Sequence, residues 1–250
     1  MSGHSKWSTI KRAKGVTDAR RGALFTKVAR EISVAARQGG GDPDANYRLR
    51  LAIEKARSVN MPADNIKRTI DKATGGGDAE QFEEIVYEGY GPGGIAVLVE
   101  AQTDNRNRTA AEVRSMFSKA GGQLAGSGAV AWQFEPRGLI EVPRAGIDVD
   151  EVTLAAIDAG AEDVYTDDQD VVGIYTAPGD LEAVRKALEA AGVAVGSAES
   201  TMIAKQTVEL DSSKARQALR LVEMLEDLDD VQRVTANFDI PDDVYAEVAG

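Results

Sequence analysis

Cysteine is absent from this chain of 250 residues, and histidine occurs once, as His4. Without cysteine there are no disulfides, thiolate nucleophiles, zinc ribbons or iron–sulfur clusters, and a reducing compartment is the natural setting. A single histidine excludes a Ser-His-Asp triad and any two-histidine metal site built from one chain. Long apolar runs are missing too. The longest aliphatic stretch, Ile95 to Val99, falls far short of the ~20 residues that a spanning helix requires. The start of the chain lacks the apolar core of a secretory signal. An arginine-rich start could serve as an organelle transit sequence, but the basic pattern here continues into helical segments, so a soluble, cytoplasmic protein without membrane contact is the expectation. The acidic runs Asp148/Asp150/Glu151, Asp167/Asp168/Asp170 and Glu226/Asp227/Asp229/Asp230 lack the spacing of a calcium loop and read as solvated faces and turns. With no base, nucleophile or metal set in view, no enzyme, catalytic residue, metal site or cofactor is expected.

What is present is charge, unevenly placed. The formal net charge is −12, from 29 Lys+Arg and 41 Asp+Glu. Residues 1–73 carry 16 Lys+Arg against 7 Asp+Glu, a net of +9, and the remainder carries −21. A positive field concentrated at one end attracts polyanions, and an acidic remainder confines their contact to that end. Ordinary solvated helix faces are the competing explanation.

Apolar residues Leu24, Phe25, Val28, Ala29, Ile32, Ala35 and Ala36 recur at spacings of three and four, which predicts a helix from Thr17 to Gln38. Asp42-Pro43 reads as the N-cap and first residue of a second helix reaching Val59, and Pro62 opens a third that Thr74-Gly75-Gly76-Gly77 closes. Beyond this all-α module the texture changes. Strands are predicted at Ile95–Thr103, Ala129–Glu135, Gln206–Leu210 and Val231–Phe238, with helices at Thr109–Ala120 and Ser212–Leu225. Between them, residues 138–203 read as β-α-β-β-α-β, the ferredoxin-like order. The predicted fold class is therefore α+β multidomain: an N-terminal three-helix module followed by two ferredoxin-like α/β domains, one inserted in the other. The expected boundaries are 1–77 for the basic helical domain, 78–136 plus 205–240 for one α/β domain, 137–204 for the inserted one, and 241–250 for an acidic tail.

Two stretches carry candidate chemistry. In the opening arm, Lys6, Lys11, Arg12 and Lys14 can neutralise phosphates while Trp7 stacks on an unpaired base or, alternatively, anchors the arm to the helices. His4 reads as a polar contact. Arg20, Arg21, Lys27 and Arg37 on helix 1 extend the candidate nucleic-acid surface. The second stretch is Thr103-Asp-Asn-Arg-Asn-Arg-Thr109. Here Thr109-Ala-Ala-Glu112 has the capping-box pattern, and Asp104, Asn105 and Asn107 suit a turn. Arg106 and Arg108 beside a helix N-terminus oppose its dipole unless an anion is present, which points to a phosphate or an acidic surface. The glycine-rich Glu88 to Gly94 lacks P-loop chemistry; Gly91-Pro92-Gly93 fits a type II turn, and Tyr90 and Pro92 could alternatively probe a partner.

Gly3-His4-Ser5-Lys6-Trp7, Ile10-Lys11, Phe25-Thr26-Lys27, Asn60-Met61-Pro62, Tyr87 to Gly94 and Thr103 to Thr109 together resemble the YebC/PmpR family, which includes the mitochondrial translational activator of cytochrome c oxidase subunit I. The resemblance runs from residue 3 to about residue 240. It implies a helical bundle followed by two α/β domains, and two readings of function. One is a regulator that binds promoter DNA; the other is a ribosome-associated translation factor that binds ribosomal RNA and relieves stalling at difficult peptide bonds such as consecutive prolines. Cations in an arm and around helix 1 suit phosphate contact and folded RNA better than base reading in a groove, so the translation factor is the expected function and the DNA regulator the alternative. A monomer is expected.

Overall fold

The computed structural model describes residues 18–75 and 81–249, without the side chains of residues 18–21, 248 and 249. These residues divide into two compact units, one comprising 18–132 and 210–236, the other 133–209 and 237–249.

The first unit begins with three helices, α1 (Asp18–Gly39), α2 (Tyr47–Ser58) and α3 (Ala63–Thr74). Their apolar stripes meet in a core built on Val28, Ile32, Leu49, Ala56 and Ile66, with Leu24, Phe25 and Ala29 at its edge. The second helix starts four residues later than the proline signal suggests. Asn46 is its cap: the amide oxygen accepts from Leu49 N at 3.1 Å, while Nδ2 donates to Ala35 O and Gly40 O, each at 2.8 Å. One buried side chain thus ends α1 and starts α2. Asp42 instead holds a turn, accepting from Asp44 N.

The same unit continues with β1 (Glu83–Tyr90), β2 (Ala96–Thr103), α4 (Arg106–Lys119), β3 (Gln123–Leu124), α7 (Ser212–Glu226) and β9 (Val231–Ala236). The antiparallel sheet runs β3-β1-β2-β9, with α4 and α7 packed against it. Its buried centre is β2, whose Ala96 to Val99 are all at most 2% exposed. The arrangement of four strands and two helices is ferredoxin-like, but the chain path is permuted, because the strand that would follow β3 comes first as β1. This strand was not anticipated. The turn before β2 is type II as expected: Gly94 N donates to Gly91 O at 3.0 Å, and Gly93 has φ 80° and ψ 5°, a conformation that favours glycine.

The second unit holds β4 (Phe134–Pro143), α5 (Val149–Asp158), β5 (Asp163–Tyr165), β6 (Val171–Thr176), α6 (Leu181–Ala190) and β7 (Ser197–Ala204). Its antiparallel sheet has the order β5-β6-β4-β7, the ferredoxin-like arrangement read from the sequence. The short strands β8 (Val208–Glu209) and β10 (Phe238–Asp239) pair in parallel with each other, so the strand expected at 206–210 does not join the first sheet. The final acidic stretch forms a helix, α8 (Asp242–Ala249), with Val244 fully buried.

Candidate nucleic-acid interface

Of the cations proposed for nucleic-acid contact, Lys6, Lys11, Arg12 and Lys14 lie outside the described residues, as do His4 and Trp7. Arg20 and Arg21 fall on the first turn of α1, and Arg37 is exposed on its last turn. Lys27 is half-buried, and its ammonium donates to the carbonyl of Glu226, the last residue of α7. A cation at that end complements the negative pole of the helix, so Lys27 ties the helical module to the α/β part of its own unit.

Three residues further along α1, Arg30 reaches a carboxylate that the sequence does not distinguish from its neighbours. Asp230, only 2% exposed, follows α7 at the entry to β9. Its Oδ1 lies 2.8 Å from Arg30 Nη1. Its Oδ2 accepts from Thr109 Oγ1 at 2.6 Å, Arg108 Nη2 at 2.7 Å and Thr103 Oγ1 at 3.0 Å. Burial alone would raise the pKa of Asp230, but the hydrogen bonds from Thr109, Arg108 and Thr103 and the charge of Arg30 outweigh it, so the carboxyl sits below its ordinary range. The same contact raises the pKa of Arg108 above its already high value.

This buried carboxylate corrects the reading of the Thr103 to Thr109 stretch and of the acidic run 226–230 as wholly solvated. The anion that Arg108 requires is supplied within the chain, by Asp230 and by Asp104 at 2.8 Å. Arg106 has a looser, exposed partner in Glu83 at 3.6 Å. Helix α4 begins at Arg106 rather than Thr109, because Asn105 Oδ1 caps it by accepting from Arg108 N at 3.1 Å. Thr109 is not the cap; its hydroxyl turns to Asp230. Asn107 is exposed, and Pro92 is buried and so offers no surface to a partner.

Around this knot lies a cleft of ≈ 990 Å³ whose lining includes Phe25, Arg30, Arg68, Lys72 and Phe82 opposite Glu112 and Asp227. The Arg30 guanidinium sits 5.3 Å from the centre of the Phe82 ring, a cation–π distance. Several of the described cations of α2 and α3 are engaged within the unit. Arg48 pairs with Glu84, Lys55 with Glu31 at 2.8 Å, and Arg68 donates to Asp64 O at 3.2 Å. The hydrogen bond from Arg48 is the main reason that the Glu84 pKa is lowered. No group of three or more acidic or histidine side chains among the described residues is placed to hold a metal ion, and none of their helices is long and apolar enough to cross a membrane.

Residues 5–76 match the TACO1/YebC protein N-terminal domain, and residues 82–238 match the TACO1/YebC second and third domain. A protein of Rubrobacter xylanophilus is 56% identical over the whole of both chains, and one of Roseiflexus castenholzii is 58% identical over 96% of each; both bear the name "Probable transcriptional regulatory protein". The crystal structure of a conserved hypothetical protein from Aquifex aeolicus is similar with a TM-score of 0.85 and 50% identity, covering 90% of this chain and 92% of that one.

Proposed function

The chain belongs to the TACO1/YebC family, and from that premise we propose that it is a nucleic-acid-binding regulator of gene expression acting on the ribosome. On this reading it works in the cytoplasm as a translation factor. It binds ribosomal RNA through its basic N-terminal module and relieves stalling at difficult peptide bonds such as consecutive prolines. The observation that carries the reading is the charge division, +9 over residues 1–73 against −21 over the rest. A polyanion meets attraction at one end of the chain only.

The choice of folded RNA over duplex DNA rests on what the helices present. A groove-reading helix offers Arg, Asn or Gln side chains to base edges from its first turns. In the first turn of α2, Arg48 is engaged by Gln38 and Glu84, and Arg50 donates to Pro43 O. Along α3 the exposed charges are mixed in sign, Asp64, Lys67, Arg68, Asp71 and Lys72, and in its first turns Arg68 donates to Asn65 Oδ1 and to Asp64 O. Neither helix offers a set of side chains suited to reading bases, whereas a basic arm and separate loops suit the crevices and unpaired bases of folded RNA. The acidic remainder of the chain is complementary to basic ribosomal proteins.

A second reading, a sequence-specific DNA-binding transcriptional regulator, is favoured by the names of the Rubrobacter and Roseiflexus relatives. The two part on one experiment. Replacing Lys6, Lys11, Arg12 and Lys14 with glutamate abolishes ribosome association on the first reading while the thermal transition is unchanged. Undiminished sedimentation with ribosomes at matched salt contradicts it.

A further inference from the structure

Large aromatic side chains exposed on a folded surface are uncommon, and two of them converge in the first unit. Trp132 is 68% exposed and Tyr90 40%. Both donate to one acceptor: Tyr90 Oη to Ala129 O at 3.1 Å, and Trp132 Nε1 to the same oxygen, also at 3.1 Å. Both side chains are thereby tied to one carbonyl near the end of β1.

The loop that carries Trp132 is held from beneath by a buried acid. Glu88, 5% exposed, accepts from Gly128 N at 2.6 Å with Oε1, and from Val130 N at 2.7 Å and Ala131 N at 2.8 Å with Oε2. Its own carbonyl accepts from Ala125 N at 2.8 Å. Burial raises the Glu88 pKa, but the three backbone donors outweigh it and leave the carboxyl below its ordinary range. Rings mounted on a loop fixed in this way lose little freedom when they bind.

Cations stand at the same end of the unit. A Cβ placed on Gly93, three residues beyond Tyr90, would lie 3.8 Å from the Cβ of Lys214, and one on Gly122 would lie 2.5 Å from the carbonyl of Tyr90, three residues after the exposed Lys119. Aromatic planes beside such cations provide stacking for a base and compensation for its phosphate. A proline-rich peptide also stacks on aromatic rings. Its recognition relies on ring donors reaching its carbonyls, and here the Tyr90 hydroxyl and the Trp132 indole N–H are both directed to Ala129 O.

We infer that Tyr90 and Trp132 form a stacking platform for an unpaired base of RNA. This deepens the RNA-binding reading and rests on it. Glu88 acts as a positioning residue for the loop.

The chain contains two tryptophans, so Trp7→Phe leaves Trp132 as the sole indole reporter. This full-length variant is titrated with an RNA hairpin carrying a single-stranded loop, with a fully paired RNA of the same length, and with an oligoproline peptide. The hairpin is expected to quench Trp132 emission saturably and the other two to leave it unchanged. In the same background, Trp132→Ala is expected to weaken hairpin binding by about five- to one-hundred-and-fifty-fold, the range a stacked base supplies, with Trp132→Phe restoring most of it. Its exposure means that the thermal transition stays in place. Unchanged emission and affinity, equal quenching by paired RNA, or quenching by oligoproline alone overturns the platform. If the arm substitutions abolish hairpin binding while Trp132→Ala does not, the platform fails and the RNA-binding reading stands. If the unsubstituted chain binds neither hairpin nor ribosome, both fail together.

Discussion

At Asp230 a carboxylate almost wholly removed from water is kept ionised by two guanidinium groups and two hydroxyls, drawn from α1, the end of β2 and the first turn of α4. Breaking a buried pair costs more than a surface pair because the remaining charges keep the desolvation penalty without its compensation. Asp230→Asn is therefore expected to destabilise the chain by about 3 kcal/mol, read as a lower urea midpoint at unchanged slope. By contrast, Glu84→Gln breaks a pair whose two side chains are 43% and 41% exposed. Solvent screening limits that loss to under about 1 kcal/mol. Three depressed carboxyls, Asp230, Glu88 and Glu84, also set a pH dependence. A pKa lower in the folded state contributes stability that is present above the unfolded value and is lost as pH falls through the folded one. Stability should thus drop as the medium passes below about pH 4, and Glu88→Gln should flatten that drop in an acid titration followed by circular dichroism. A steepened drop in the variant would contradict the assignment. The sequence called for an anion beside Arg106 and Arg108 but did not point to Asp230 or Glu88. Asp230 sits in an acidic run that looks solvated, and its partner Arg30 lies 200 positions away in the chain. The ends of α1, by contrast, lie within one residue of those expected from the sequence.

Among the elements, the three helices of the module and the whole of the β4 to β7 arrangement follow from hydrophobic spacing, because each buries one face. The errors occur where a side chain captures backbone groups that a simpler pattern assigns elsewhere. Asn46 and Asn105 displace the expected caps of α2 and α4. A strand is expected over Ala129–Glu135, but Glu88 takes the backbone N–H groups of Gly128, Val130 and Ala131, and the segment turns instead through a short 3-10 helix, Ala131–Gln133. Strand β1 escaped notice because its glutamates and glycine weaken the β signal. That glycine has a packing reason. A Cβ on Gly89 would lie 2.5 Å from Phe117 Cε1, where α4 presses against the sheet. Gly89→Ala is expected to cost about 1–3 kcal/mol by overpacking, lowering the melting temperature. Combined with Phe117→Leu, which clears the ring, it should cost less than the sum of the two single changes.

For the whole molecule, charge is the property that sequence alone conveyed most fully, and the structure adds where some of it is spent. Lys27 and Arg30 face inward to the end of α7 and to Asp230, which withdraws them from the positive surface proposed for RNA. Phosphate contacts weaken with salt in proportion to the number of ions they release. The measurement that tests the central claim most directly is equilibrium binding of the unsubstituted chain to purified ribosomes and to promoter-length duplex DNA, each titrated across salt. The account predicts saturable ribosome binding that persists at physiological salt while duplex binding falls away. Tight binding confined to one DNA sequence, with ribosome binding lost at the same salt, would contradict it.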